Sequence, residues 1–134
     1  MNIYIEYTIR LALSFVCSFI LGLERKSHQH IVGIRTLVSM GLSCCLLSIL
    51  SVYMAETPAV EGDPTRIAAG VITGIGFLGG GAILKLGLNI RGLTTAAIIF
   101  MTSALGMSFG AGLYFPTIKP PFSKGVIYRN QRNR

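Results

Sequence analysis

Charge is scarce in this chain. Of its 134 residues, 13% are Asp, Glu, Lys or Arg, about half the roughly 25% share of an ordinary soluble domain. A fold that must coat its whole surface for water is excluded. Cysteine is scarce too: Cys17, Cys44 and Cys45 lie in hydrophobic runs, two of them adjacent. An odd, clustered set excludes a disulfide framework, and the three read as small buried apolar residues. Catalytic motifs are missing. GFLGGGAILK falls inside an apolar run rather than before a phosphate-binding helix, and there is no nucleophile elbow or metalloprotease helix. The expectation is a non-enzymatic protein without a cofactor. His28 and His30 share a polar loop; a metal site needs further ligands at good geometry, so they read as solvated and no metal site is expected.

Acids are the scarcest charge, five in all, and Glu6 is the only one inside an apolar span. Arg10 follows one helical turn later. An ionisable pair at membrane depth is a functional candidate by default, although near a helix end it can also snorkel to the interface. A hydrated magnesium path calls for several oxygen ligands. One carboxylate beside an arginine is thin support for an autonomous magnesium channel.

What the chain does have is apolar length. Hydrophobic residues make up 51% and the mean hydropathy is +0.64. Four stretches approach the roughly 20 residues that a membrane-crossing helix needs: residues 3–23, 36–55, 67–84 and 93–115. The first is no cleaved leader: its charged start contains an acid, no small-residue cleavage pattern follows, and three more spans come after it. The fold expected is an all-α membrane protein, a bundle of four transmembrane helices.

The net charge of +7 is uneven. Residues 1–118 hold seven Lys/Arg against five Asp/Glu; the remaining five basic residues lie in the last sixteen, with no acid. Two parts are expected, a transmembrane domain over 1–116 and a basic, disordered tail over 117–134. Beside a hydrophobic body such a tail suits the lipid surface rather than nucleic acid, and a simply solvated tail is the plainer reading. Arg25, Lys26 and Arg35 flank the first connection, Lys85 and Arg91 the third, while the second carries Arg66 against Glu56, Glu61 and Asp63. The excess of basic residues puts connections one and three in the cytoplasm and the N-terminus outside. Four spans also put the basic C-terminus outside, against the same rule.

Residues 67–84 carry six glycines. At 100° per residue, Gly70, Gly74 and Gly81 fall on one strip, and Ala69, Gly76 and Gly80 on a second. Small residues let backbones approach in lipid, so two strips predict two close neighbours and a central place for this helix. Val71, Ile75 and Leu78 then face lipid. Ser14, Ser18 and Gly22, and likewise Gly106 and Gly110, offer matching surfaces. Asp63 before Pro64 is a helix-start signal, with Arg66 snorkelling nearby; an outer-face site built on these two residues is the functional alternative.

Five motifs, LGLER (21–25), GIRT (33–36), GDPTRIAA (62–69), GIGFLGGGAIL (74–84) and NIRGLTTAA (89–97), occur in an order and spacing that resemble the MgtC/SapB family of bacterial inner-membrane proteins. The resemblance covers about residues 6–115 and implies a role in magnesium homeostasis or low-magnesium adaptation. It implies action through other membrane proteins, ATP synthase included, at least as well as magnesium transport. The motif positions it carries over are Glu24, Arg25, Arg35, Thr36, Asp63, Arg66, Arg91, Thr94 and Thr95. Gly70 departs from the polar Gln common after RIAA. The family's fifth span and soluble domain have no counterpart here, which implies a truncated member. The expected partners are the bilayer, other membrane proteins and a second copy of the chain. An ion-transporter component and a non-functional fragment are the competing readings.

Overall fold

The computed structural model describes residues 3–26, 32–56, 63, 65–86 and 89–114. The order is α1 (Ile3–Lys26), α2 (Ile34–Glu56), α3 (Thr65–Gly81), β1 (Leu84–Leu86), β2 (Asn89–Arg91) and α4 (Leu93–Gly110). In hydrocarbon every backbone N–H and C=O must be satisfied within its own segment, which forces such runs into helices. Among the described residues three are long and apolar enough to cross a membrane: Tyr4–Arg25, Ile34–Ala55 and Leu93–Gly110. At 1.5 Å per residue the 17-residue α3 spans about 26 Å, short of the roughly 30 Å core. The third expected span is therefore corrected: it ends at Gly81, and residue 84 already belongs to a strand.

The distribution of side chains is inside-out relative to a soluble bundle. Ser14, Ser18, Ser51, Thr95, Thr102 and Ser103 are buried, while Phe15, Phe19, Ile20, Leu46, Leu50, Phe100 and Met101 are exposed. Water would penalise both choices, whereas a lipid coat favours both. The molecule is a membrane protein.

Small residues set the centre. A Cβ on Gly106 would run into the Gly41 carbonyl oxygen, and one on Gly110 into the Cys45 carbonyl oxygen. Both contacts advance in the same direction, so α2 and α4 lie parallel, main chain against main chain. Helix α1 runs antiparallel to them: Ser14 Oγ donates to the Gly41 carbonyl at 2.9 Å, and a Cβ on Gly22 would lie 2.8 Å from Ile34 Cα. Ser48 Oγ ties α2 to the Met107 carbonyl at 2.9 Å. Cys44 and Cys45 are free and buried here. The matching surfaces expected on α1 and α4 thus hold, but their common neighbour is α2.

The expectation of a central Gly-rich helix is corrected. Helix α3 lies at the edge of the bundle, and its faces are reversed. Ile75 is buried with Leu37, Cys44 and Ile99, and Val71 and Ala82 pack against that cluster. Around Gly70, Gly74, Gly76, Gly80 and Gly81, an added Cβ meets nothing within 4 Å. Phe77, beside the first strip, is 83% exposed. The physical reason is volume. With α2 and α4 already backbone to backbone, the groove beside them needs bulk, and Ile75 and Val71 supply it where glycine cannot. Gly79 alone on α3 makes a close small-residue contact, its Cβ position 3.7 Å from Ala96 Cβ.

Two short strands pair antiparallel between α3 and α4, Leu84 opposite Arg91 and Leu86 opposite Asn89. Gly92 then starts α4 with φ 94°, and its missing Cβ leaves room for the Ala82 carbonyl oxygen. Helix α4 stops at Gly110 rather than continuing to residue 115. Gly112 takes φ 76°, and Leu113 N–H bonds back to the Ser108 carbonyl at 2.9 Å, a glycine-dependent helix stop.

Candidate functional site

The helices alternate in direction, so the candidate residues divide between two ends of the bundle. At the end formed by the α1 C-terminus, the α2 N-terminus and the α4 N-terminus lie Glu24, Arg25, Arg35, Thr36, Thr94 and Thr95, with Arg91 in β2. At the other end lie Glu6, Arg10, Asp63 and Arg66.

The first end is not closed by charge pairs among the described residues. Arg25 Nη2 reaches Glu24 Oε1 at 3.4 Å, a pairing of sequence neighbours that links no two elements. The Arg25 side chain is mostly buried, and its Nε has no partner. Arg35, Thr36 and Thr94 are exposed. Thr95 is buried, so it belongs to the packing of α4. The Arg91 side chain, His28, His30 and residues 115–134, with the basic tail, lie outside the described residues.

The second end is built around Arg10, which does not snorkel. Its guanidinium turns inward, with 13% of the side chain exposed. Nη2 pairs with Glu6 Oε1, four residues earlier. Nη1 donates to the Gly110 carbonyl at 2.7 Å and Nε to the Tyr114 hydroxyl at 3.3 Å. The Tyr7 ring lies under the cation, 5.7 Å from Cζ to centroid. The last carbonyls of a helix lack internal partners and carry its negative pole, so a cation there satisfies both. Gly112 is required twice over: besides its positive φ, a Cβ would sit 2.9 Å from Arg10 Nη2. Glu6 is thereby engaged by Arg10. Among the described residues no group of three or more His, Cys, Asp or Glu is placed to hold a metal ion.

Asp63 and Arg66 stand apart from this cluster on an exposed turn. Asp63 Oδ1 accepts from Thr65 N–H at 2.8 Å and from Thr65 Oγ1 at 2.7 Å, while its carbonyl accepts from Arg66 N–H at 3.1 Å. These are the bonds of a helix start. The Thr65 hydroxyl first, then the Thr65 N–H, hold the Asp63 carboxyl below its usual range, with a smaller pull from Arg66.

The small-residue seam, the inward arginine and the glycine-flanked hairpin occupy a chain whose residues 11–119 match the family model described as the MgtC family. The chain belongs to the MgtC family. A curated relative of this MgtC-family chain, YhiD of Escherichia coli, named a putative magnesium transporter, is 43% identical over 113 residues, covering 81% of this chain and 53% of the relative. Protein MgtC of Brucella abortus is 40% identical over 107 residues, covering 77% of this chain and 42% of the relative. The chain spans about half the length of the curated relatives it matches. No solved structure matches it.

Three positions that shape the packing are not singled out by the sequence pattern. Gly41 is a lone glycine in an apolar run, Gly79 opens the Gly79–Gly81 triplet without falling on either small-residue strip, and Tyr114 follows the last helix. The alternation of Leu84, Lys85 and Leu86 before a glycine was the available signal for the hairpin.

Proposed function

We propose that this chain is a non-enzymatic inner-membrane protein of the MgtC type. It serves magnesium homeostasis or low-magnesium adaptation by docking its helices against other membrane proteins, ATP synthase among the candidates. The observation that carries the reading is the open glycine face of α3, where five glycines have no neighbour for a Cβ within 4 Å. Such a face lets another helix approach main chain to main chain in lipid. The magnesium connection rests on the name of the E. coli relative. The basic connections support an N-terminus on the outer, non-cytoplasmic side of that membrane.

The test is Gly74→Leu. A Cβ at position 74 meets nothing within 4 Å in this chain, so the variant is expected to fold, checked by helical circular dichroism, while a partner helix is held off. Crosslinking and co-purification from native membranes should lose a partner band that the wild type retains. An unchanged band defeats the reading.

Transport is the second reading, favoured by that same relative's name. Magnesium flux into liposomes holding only this protein would establish it. Zero flux with folded protein supports docking, in keeping with the Glu6 carboxylate being engaged by Arg10.

A further inference from the structure

Arg25 is a mostly buried cation that the docking reading does not use. Its direction follows from contacts elsewhere on α1. Arg10 bonds to the Gly110 carbonyl of α4, while the Gly22 Cβ position lies 2.8 Å from Ile34 Cα of α2. At 100° per residue Arg25 falls about 60° from each of these two positions, between them. It therefore enters the groove between α2 and α4. Its depth is fixed as well. Arg25 comes less than one turn after Gly22, and side chains lean toward the N-terminus of their own helix, which here carries the guanidinium back toward the first residues of α2. Burial agrees: 13% of the side chain is exposed, and Nε is buried without a partner.

This corner is rich in donors. The Gly33 carbonyl takes the Leu37 N–H at 3.3 Å, so Gly33 stands at the start of α2 with no side chain to cap it. The N–H groups of the first turn are left over, at the positive pole of the helix. Arg35 adds an exposed cation on that turn. Against these stands Glu24, the one acid among the described residues at this end, 63% exposed and 3.4 Å from Arg25 Nη2. There is also room: Gly33 is exposed, and a Cβ there would meet nothing within 4 Å.

We propose that this corner binds a phosphate group, held by the Arg25 and Arg35 guanidiniums and by the N–H groups that begin α2. A guanidinium takes phosphate oxygens in pairs, and the buried Arg25 beside an uncapped helix start supplies positive charge that Glu24 alone does not balance. A lipid headgroup and a soluble phosphate present the same group, and the experiment separates them.

That experiment is calorimetric titration of the full chain in neutral-detergent micelles, with inorganic phosphate, with short-chain phosphatidylglycerol, or with diacylglycerol of the same chains. One site per chain is expected for inorganic phosphate or phosphatidylglycerol, and none for diacylglycerol. Saturation by phosphatidylglycerol alone assigns a lipid headgroup, and saturation by inorganic phosphate assigns a soluble anion. Gly33→Asp places a carboxylate at the α2 start, where Asp is favoured and space is open. It should weaken binding about tenfold with helical circular dichroism unchanged. Glu24→Gln frees Arg25 and should tighten binding about threefold. Arg25→Gln should abolish binding; if that variant does not fold, Gly33→Asp decides. No saturable binding of either phosphate source overturns the proposal. So does diacylglycerol binding as tight as phosphatidylglycerol, or binding that Gly33→Asp or Arg25→Gln leaves intact.

Discussion

Adding one methyl group at Gly106 should loosen the bundle far more than adding one at Gly74. At Gly106 the new Cβ would collide with the Gly41 carbonyl oxygen and lie 3.1 Å from Cys44 Cβ. The main obstacle is main chain, which cannot rotate aside as a side chain can, so α2 and α4 must part. Overpacking a filled core costs about 1–3 kcal/mol, and an immovable obstacle puts this case near 3. Alanine returns up to about 1 kcal/mol of helix propensity. The net loss for Gly106→Ala is about 2 kcal/mol, roughly thirtyfold in the folding equilibrium. At Gly74 nothing lies within 4 Å, so the same change should be neutral or stabilising by up to about 1 kcal/mol. The assay is unfolding by SDS in mixed micelles, followed by far-UV circular dichroism. Equal midpoint shifts for the two variants, or a larger loss at Gly74, would refute the reasoning.

Arg10→Ala should destabilise by about 2–4 kcal/mol in the same titration, because it strips a charged donor from the Gly110 carbonyl and leaves Glu6 unpaired. Arg10→Lys should recover only part, since an ammonium cannot serve Glu6, Gly110 and Tyr114 in the same planar arrangement. Gly112→Ala should cost at least about 1 kcal/mol through its φ of 76° alone, with crowding of Arg10 added. Thr102→Val should be neutral or stabilising by the same assay, because the Thr102 hydroxyl is buried without a partner. Asp63 supplies a pH test. Its carboxyl titrates lower in the folded chain than its ordinary value of 3.8, so its contribution is full above that value. The contribution is lost as pH falls through the lowered folded value. Hydrogen exchange at the start of α3 should rise at acid pH in the wild type, beyond the change seen in Asp63→Asn.

The helices were legible because apolar length in a charge-poor chain has few other solutions. The α1–α2–α4 seam was half legible: Ser14, Ser18, Gly22, Gly106 and Gly110 stand out by spacing, whereas Gly41 is a lone glycine in a charge-free run. The orientation of α3 was not legible. A helical wheel states which residues share a face, not which face turns inward, and in lipid neither Ile75 nor Gly74 carries an intrinsic preference. Only the groove left by the paired α2 and α4 decides, and that groove exists only in three dimensions. Pairing of Glu6 with Arg10 follows from their spacing. The destination of that pair, the C-terminus of α4, depends on a contact a hundred residues away.

The most direct measurement of this arrangement is a disulfide between α3 and α4 in native membranes, with Cys17, Cys44 and Cys45 replaced by alanine. The Gly79 and Ala96 Cβ positions lie 3.7 Å apart, inside the roughly 3.5–4.5 Å window of a disulfide. Gly79→Cys with Ala96→Cys should therefore crosslink within one chain under mild oxidation, while Gly74→Cys with Ala96→Cys should not. Crosslinking through position 74 and none through position 79 would turn α3 around and contradict the open glycine face on which the proposed docking stands.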